Sequence, residues 1–349
     1  MATVLTANGA PAVSSLPQIL TAAATALVRL PFTIAEWAYV AAKRPAVEPV
    51  EAPVFILGHW RSGTTHLYNV MSRDDRLGYV SPFATGLPWD FLLFARLLRP
   101  VLEAALPKDR YIDNVTVELT SPQEDEIALA SMTPLSFYHG LYFPRAFHKN
   151  FDRGLYFDGC SARQVARWQR TLSRLYTKLT IDQGGRRLLI KNPVYTARVE
   201  MLREMWPDAK FIHIHRNPYK VFVSMRNFYA RLFEQFALQD YGHLDIDAII
   251  LENYSRIMDR LVAETADLPP EQFIELSFED FQKAPLEQLQ AIYGRLGLDG
   301  FAEARPVFAD YLAGVSGYRK NVYSYPDEVV EKVSAGWAPF IGRWGYARP

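Results

Sequence analysis

The run Gly58-His59-Trp60-Arg61-Ser62-Gly63-Thr64-Thr65 follows the apolar stretch Pro53–Leu57 and opens onto His66-Leu67-Tyr68. A strand, a tight glycine turn and a helix start, in that order, aim several backbone N–H groups and the positive end of a helix at one spot. That is an anion cradle. Gly58 and Gly63 fit the spacing of the nucleoside-triphosphate loop G-x-x-x-x-G-K-[ST], but Thr64 stands where that loop carries its lysine. The group that reaches β- and γ-phosphates is therefore missing, and a cation enters inside the loop as Arg61. The composition suits a shorter anion, one phosphate with a small transferable appendage. Two glycines at this spacing alone would fit an ordinary turn with Thr65 as a helix cap. The run Arg-Ser-Gly-Thr-Thr directly behind an apolar strand is far more specific.

A second arrangement follows Lys210–His215 (KFIHIH), where Arg216-Asn217-Pro218 leads to Ser224. Asn217 as N-cap and Pro218 at the first helical position make a good helix start. Arg216 then falls at the carboxyl end of a strand, where α/β sheets bind ligands. Ser224 lies about two turns into the helix. An arginine fork and a hydroxyl so placed suit a second phosphate.

Together the two motifs resemble the sulfotransferases that use 3′-phosphoadenosine 5′-phosphosulfate (PAPS), with an overall look closest to bacterial members. The similarity runs from Pro53 to the C-terminus and takes in Arg187–Pro193, Phe273–Phe281 and Trp344-Gly345-Tyr346. It implies that Arg61, Ser62, Gly63, Thr64, Thr65 and His66 hold the 5′-phosphosulfate. Arg216 and Ser224, at the family's eight-residue spacing, would hold the 3′-phosphate. Arg319 and Lys320, in the basic cluster Tyr318-Arg319-Lys320-Asn321, would assist at the 3′-phosphate or the adenine. Lys191 matches the lysine that reaches the bridging oxygen or the sulfuryl group. The resemblance also explains the missing P-loop lysine, since PAPS has no γ-phosphate, and implies no required metal.

Sulfuryl transfer needs a base for the acceptor hydroxyl and positive partners for the sulfuryl oxygens and the leaving phosphate. Arg61, the loop amides and Lys191 would supply the positive partners. The base is less legible. Animal cytosolic members place a histidine two residues after the lysine, whereas here Pro193 stands there; other branches use a glutamate. The acidic run Glu124-Asp125-Glu126 supplies Glu124 and Glu126 as candidates, and His59 in the phosphate loop is a third. Ser121 and Glu124 are also spaced as a capping box with Pro122 at the first helical position, so the run equally fits a helix start.

Four short apolar runs read as buried parallel strands: Pro53–Gly58, Arg187–Lys191, Lys210–His215 and Gln272–Phe278. Helical stretches such as Thr196–Met205 and Leu286–Leu296 alternate with them. The expected fold is α/β, a P-loop-like parallel sheet flanked by helices in one domain over residues 1–349. About 130 residues separate the first two strands, far more than one crossover needs. Residues 80–180 are read as a helical insertion capping the acceptor site. Its aromatic-rich part, Phe137–Phe157, suits either a substrate cap or plain core packing.

Residues 1–52 read as an N-terminal helix and linker. Ile19, Ala23, Leu27, Leu30, Ile34 and Trp37 recur at helical spacing over residues 18–42, a face expected to pack on the protein's own core. The sharper alternative is peripheral membrane contact. The apolar stretch Leu16–Val28 is too short for a transmembrane span before Arg29 and Glu36 interrupt it. No basic segment precedes it as in a secretory signal.

With 38 basic and 38 acidic residues the formal net charge is zero, which excludes a whole-protein basic field for nucleic acid. The single cysteine, Cys160, excludes a disulfide framework and fits a reducing, cytoplasmic setting. The seven histidines form no ligand run for a metal. The expected activity is transfer of the PAPS sulfuryl group to a hydroxyl of a small, apolar, aromatic or lipid-like acceptor. The alternatives are a P-loop kinase using ATP, or a non-catalytic protein that binds PAPS or its product 3′-phosphoadenosine 5′-phosphate (PAP). Oligomeric state is not legible.

Overall fold

The computed structural model describes residues 7–97, 100, 121–315 and 325–349. The elements that carry the argument are, in chain order, helix α1 (Leu16–Lys43), strand β1 (Val54–Leu57), helix α2 (Thr64–Met71), strand β2 (Leu77–Gly78), helices α3 (Asp125–Met132) and α4 (Ala162–Asp182), strand β3 (Arg187–Lys191), strand β4 (Lys210–His215), helices α5 (Pro218–Phe236) and α6 (Ile246–Thr265), strand β5 (Phe273–Ser277) and helix α7 (Phe278–Lys283). The chain forms two compact units. One comprises residues 1–51, 79–188 and 230–244; the other comprises 52–78, 189–229 and 245–349.

The sheet has the order β2-β3-β1-β4-β5. β1 pairs in parallel with β3 (Val54 with Leu189) and with β4 (Val54 with Lys210), and β4 pairs in parallel with β5 (Phe211 with Phe273). Every residue of β1 is fully buried. That is why the run reads as continuously apolar: a central parallel strand is covered on both faces. The four expected strands are present, and β3 and β4 have the expected limits. β2 went unread because two residues carry no periodicity. Thr196–Met205 is helical only from Val199, since Asn192 caps a 3₁₀ turn over Pro193–Ala197 first.

The described residues of the unit with residues 79–188 are largely helical. Phe137, Phe143, Phe147, Phe151 and Tyr156 are all buried in it, with Phe147 and Phe151 stacked at 5.1 Å. Most of the aromatic cluster is thus this unit's own core. Tyr138 and Tyr142 are half-buried and meet Phe236 at 5.9 Å each. The capping box over Ser121–Glu124 is not formed: α3 starts at Asp125 with Glu124 in the N-cap position and extended. Asp125 is drawn inward instead, where its carboxylate accepts a hydrogen bond of 2.9 Å from the Tyr176 hydroxyl.

α1 departs most from expectation. Arg29 and Glu36, which interrupt the apolar run, hold the helix in place. Arg29 pairs with Asp90, and the buried Glu36 pairs with buried Lys178 at 2.6 Å while accepting from the Leu93 amide at 3.0 Å. The face turned to the protein is therefore the one with Glu36 and Val40, both buried. Four of the six apolar residues assigned to the core point outward, Leu27, Leu30, Ile34 and Trp37 being 72%, 51%, 61% and 51% exposed, while Ile19 and Ala23 are half-buried. The helical run Val13–Ala46 is long and apolar enough, by length and composition, to cross a membrane.

Candidate functional site

β1 ends at Leu57 and the chain turns through Gly58–Gly63 into α2. Two glycines make this turn possible. Gly58 has φ of +145°, and a Cβ there would lie 2.5 Å from the Ile214 carbonyl oxygen. Gly63 is the N-cap of α2 at φ +96°, and a Cβ would lie 2.1 Å from the Phe278 ring. Gly63→Ala therefore combines a left-handed residue with overpacking. We expect it to cost on the order of 2–5 kcal/mol, read as a lowered midpoint of thermal unfolding. The Gly58 amide donates to Thr196 Oγ1 at 2.8 Å, which fixes the start of the turn.

Within the loop the Ser62 amide bonds to the His59 carbonyl at 3.1 Å, and the His66 amide to the Gly63 carbonyl at 3.0 Å. The His66 ring packs on Phe281 at 5.4 Å. These contacts hold the loop's shape. Thr64 and Thr65 are the first two helical residues, whose N–H groups have no intrahelical acceptor and carry the positive end of the helix.

The structure brings the two anion motifs together within one unit. Arg61, itself at φ +71°, donates from Nε to Ser224 Oγ at 2.8 Å. Arg216 donates from Nη1 to the Arg61 carbonyl at 3.1 Å. Lys191, buried at the end of β3, reaches Thr65 Oγ1 at 3.3 Å. Three cations are thus gathered around the loop, an arrangement suited to an anion carrying several charges. Phe278 organises the group, with the Arg216 guanidinium 4.7 Å from its ring centroid and the same ring against Gly63.

Lys191 and Arg216 are delivered in the same way. Each stands at a strand end just before an Asn-Pro helix start. Asn192 Oδ1 accepts from the Val194 amide at 3.0 Å, and Asn217 Oδ1 accepts from the Tyr219 amide at 3.0 Å. This is the local reason for Pro193 where the resemblance expects histidine: the position belongs to a capped turn. Beneath Arg216, Glu279 accepts from the Asn217 amide at 3.2 Å and from the Tyr346 hydroxyl at 3.0 Å. Since Tyr346 donates to that carboxylate, it accepts from His215 Nδ1–H at 2.8 Å. The network ties the C-terminal segment to the turn that carries Arg216. Thr196 did not stand out in the sequence, and Phe278 and Glu279 fell within the similar run Phe273–Phe281 without a role of their own, because such residues in ordinary helix starts give no signal by type or spacing.

His59 is buried, its ring 5.0 Å from Tyr254, and Nδ1 lies 3.0 Å from the Trp60 carbonyl. Burial pulls its imidazole down to about 4, only partly opposed by that hydrogen bond. An imidazole near 4 when folded and near 6.5 when unfolded contributes its full stability above about pH 6.5 and loses it as the pH falls toward 4, on the order of 3 kcal/mol. His215, lowered to about 4 by burial and by His213, acts in the same window. We therefore expect the unfolding midpoint to fall between pH 6.5 and 4, and His59→Asn to remove part of that slope in a pH series of melts.

Glu124 and Glu126 belong to the other unit, with Glu126 fully buried and Glu124 half-buried. Burial, helped by the charge of Glu126, raises the Tyr142 hydroxyl to about 12. Arg319 and Lys320 lie outside the described residues.

A strand–loop–helix anion cradle at the carboxyl end of a parallel sheet, with two further cations from adjacent strand ends, is an arrangement suited to a phosphorylated ligand. The sequence profile of the Sulfotransferase family matches residues 53–303, and the chain belongs to that family. It is similar to omega-hydroxy-beta-dihydromenaquinone-9 sulfotransferase Stf3 of Mycobacterium tuberculosis, with 32% identity over 314 residues covering 89% of this chain and 80% of that one. The fold is similar to those of sulfotransferase STF9 from Mycobacterium avium (TM-score 0.69, 18% identity, 88% of this chain and 80% of the other) and sulfotransferase STF1 from Mycobacterium tuberculosis (TM-score 0.62, 19% identity, 88% and 81%). The protein is a sulfotransferase, an α/β enzyme with a P-loop-like parallel sheet flanked by helices, which favours the reading as an enzyme of sulfuryl transfer over an ATP kinase or a non-catalytic binder.

Proposed function

We propose that the donor is PAPS and that the acceptor is a hydroxyl of an apolar, lipid-like molecule. The observation that carries the donor is the chain Arg216–Arg61–Ser224, which links the phosphate loop to the second anion motif. Such a linkage suits a nucleotide with phosphates at both ends of one ribose. The glycine turn, the two first-turn amides and the three cations fit that donor. When bound, PAPS supplies an activated sulfuryl group.

In this reading Thr64, Thr65 and Arg61 hold the 5′ end, and Arg216 with Ser224 holds the 3′-phosphate. Ser62, Gly63 and His66 shape the loop, and Arg319 and Lys320 are assigned to the 3′-phosphate or adenine. Lys191 stabilises charge on the transferred group and the leaving oxygen from its buried post beside Thr65. Glu124 and Glu126 are the carboxylates proposed to take the acceptor proton. His59, with its imidazole near 4, is a weak base and serves better as a neutral brace of the loop. Residues 80–180 are proposed to receive the acceptor. The lipid-like class is supported by the relative named for a menaquinone-type hydroxyl. The single cysteine supports a cytoplasmic setting.

The test is incubation with PAPS and a panel of hydroxyl acceptors: long-chain prenyl and alkyl alcohols, phenols and sugars. The expected result is PAP release matched by a sulfated prenyl or alkyl product in mass spectra. Sulfation of sugars alone would overturn the acceptor class, and product formation from ATP in place of PAPS would overturn the donor.

A further inference from the structure

α1 has two faces of opposite character. Between Val13 and Ala42 the only charged residues are Arg29 and Glu36, and both are committed to ion pairs on the protein side, with Asp90 and Lys178. The water-facing side therefore carries no charged side chain over the whole of this stretch. At about 100° per residue, Leu16, Leu20, Leu27 and Ile34 fall within roughly 40° of one another and about 180° from Glu36. Val28, Leu30 and Trp37 widen this ridge to roughly half the helix circumference. Among the described residues, every exposed large apolar side chain except Leu97, Tyr241 and Val307 lies on this segment.

The buried pair fixes the helix's rotation. Turning the apolar face inward would carry Glu36 out and leave Lys178 buried without its carboxylate, a costly exchange. The ridge is thus held outward by the chain's own charges. A patch of this kind marks an interaction site.

Width and charge select the partner. A facing helix covers a narrow seam, typically two positions in seven, whereas this arc is about twice as wide as the stripe a core-facing helix buries. A lipid interface covers such an arc without shape complementarity. The Arg174 guanidinium lies 4.3 Å from the centroid of the half-exposed Trp37 ring at the ridge's edge, and exposed Lys43 and Arg44, the latter paired with Glu48, close the helix. An interfacial tryptophan beside basic groups suits a headgroup layer containing anionic lipids.

We propose that α1 is an in-plane membrane-docking helix, lying along an anionic lipid surface with Leu16, Leu20, Leu27 and Ile34 inserted. Its length, about 42 Å, gives a long contact line, and the Glu36–Lys178 and Arg29–Asp90 pairs couple that contact to the rest of its unit. The inference goes beyond sulfuryl transfer and stands on α1 alone, so it survives or fails independently of the donor and acceptor assignments.

The test is flotation of the full chain with vesicles of phosphatidylcholine containing phosphatidylglycerol, with the midpoint of thermal unfolding as the control for an intact fold. Wild type is expected to float, and more weakly as phosphatidylglycerol is removed or salt is raised. The triple variant Leu20→Asp, Leu27→Asp, Ile34→Asp is expected to bind at least about tenfold more weakly while keeping a cooperative unfolding transition with its midpoint within a few degrees of wild type. The milder pair Leu27→Gln, Ile34→Gln guards against loss of the helix and should fall between the two. Wild type remaining unbound at all lipid concentrations would overturn the proposal, as would a triple variant that floats equally well. A wild-type dimer that the triple variant converts to monomer, with no flotation, would assign the ridge to a second copy instead. Resistance to extraction by alkaline carbonate would assign it to a membrane span.

Discussion

Replacing Lys191 with methionine is expected to lower turnover about 10²- to 10³-fold while PAP affinity stays within about twofold of wild type. The asymmetry follows from where the ammonium sits. Lys191 is buried at the end of β3 and bonds at 3.3 Å to Thr65, the second helical residue behind the glycine turn. In the proposed reading a cation held there faces the point at which charge develops during transfer. It makes its largest contribution in the transition state, which appears in kcat and not in product binding. Methionine keeps most of the side-chain volume, so the effect is not that of a cavity. Steady-state kinetics with a fixed acceptor, paired with a PAP titration, separate the two quantities. A variant that lost PAP binding and turnover in equal measure would reduce Lys191 to a ground-state phosphate ligand.

Replacing Arg216 with alanine is expected to show the reverse pattern. A charge-assisted fork contact contributes about 1.5–3 kcal/mol, so PAP should bind about 10- to 150-fold more weakly. ADP, which has no 3′-phosphate, should bind almost as before, and the preference for PAP over ADP should collapse. Arg216→Lys keeps the charge but loses the planar fork, and should recover only part of the affinity. Arg216 also donates to the Arg61 carbonyl at 3.1 Å, so a small additional loss at the 5′ end is expected from a loosened loop. Calorimetric titration of both ligands on wild type and the two variants reads all of this. Equal losses for PAP and ADP would mean that Arg216 supports the fold of the loop and not recognition of the 3′-phosphate.

The frame of this enzyme is legible in its sequence because buried parallel strands have no alternation to obscure. KFIHIH and RLLIK become β4 and β3 with their expected limits, and the Asn217-Pro218 cap is formed as the residue types require. The phosphate loop is legible because its chemistry needs glycines at fixed places, and Gly58 and Gly63 have no room for a side chain. What escaped was set by tertiary partners. Nothing in the spacing of Ile19 to Trp37 reveals that the helix turns Glu36 inward, because the reason is Lys178, far away in sequence. The run Ser121–Glu124 reads as a capping box, but Asp125 bonds to Tyr176 and the helix starts there. Phe278 and Glu279 brace Arg216 from a helix start that looked ordinary by composition. The aromatic density of Phe137–Phe157 belongs mostly to packing, since a small helical unit must fill its own centre.

The central claim is that one site reads both ends of a 3′,5′-phosphorylated adenosine through Arg61, Arg216 and Ser224. Thermal-shift titration of the full chain with PAP, ADP and ATP–magnesium, side by side, tests it most directly, because a ligand that binds the native state raises the midpoint according to its affinity. A shift with PAP well beyond that with ADP, and no gain from magnesium, is the predicted result. A shift with ATP–magnesium and none with PAP would contradict the donor assignment and the roles given to Arg216 and Ser224.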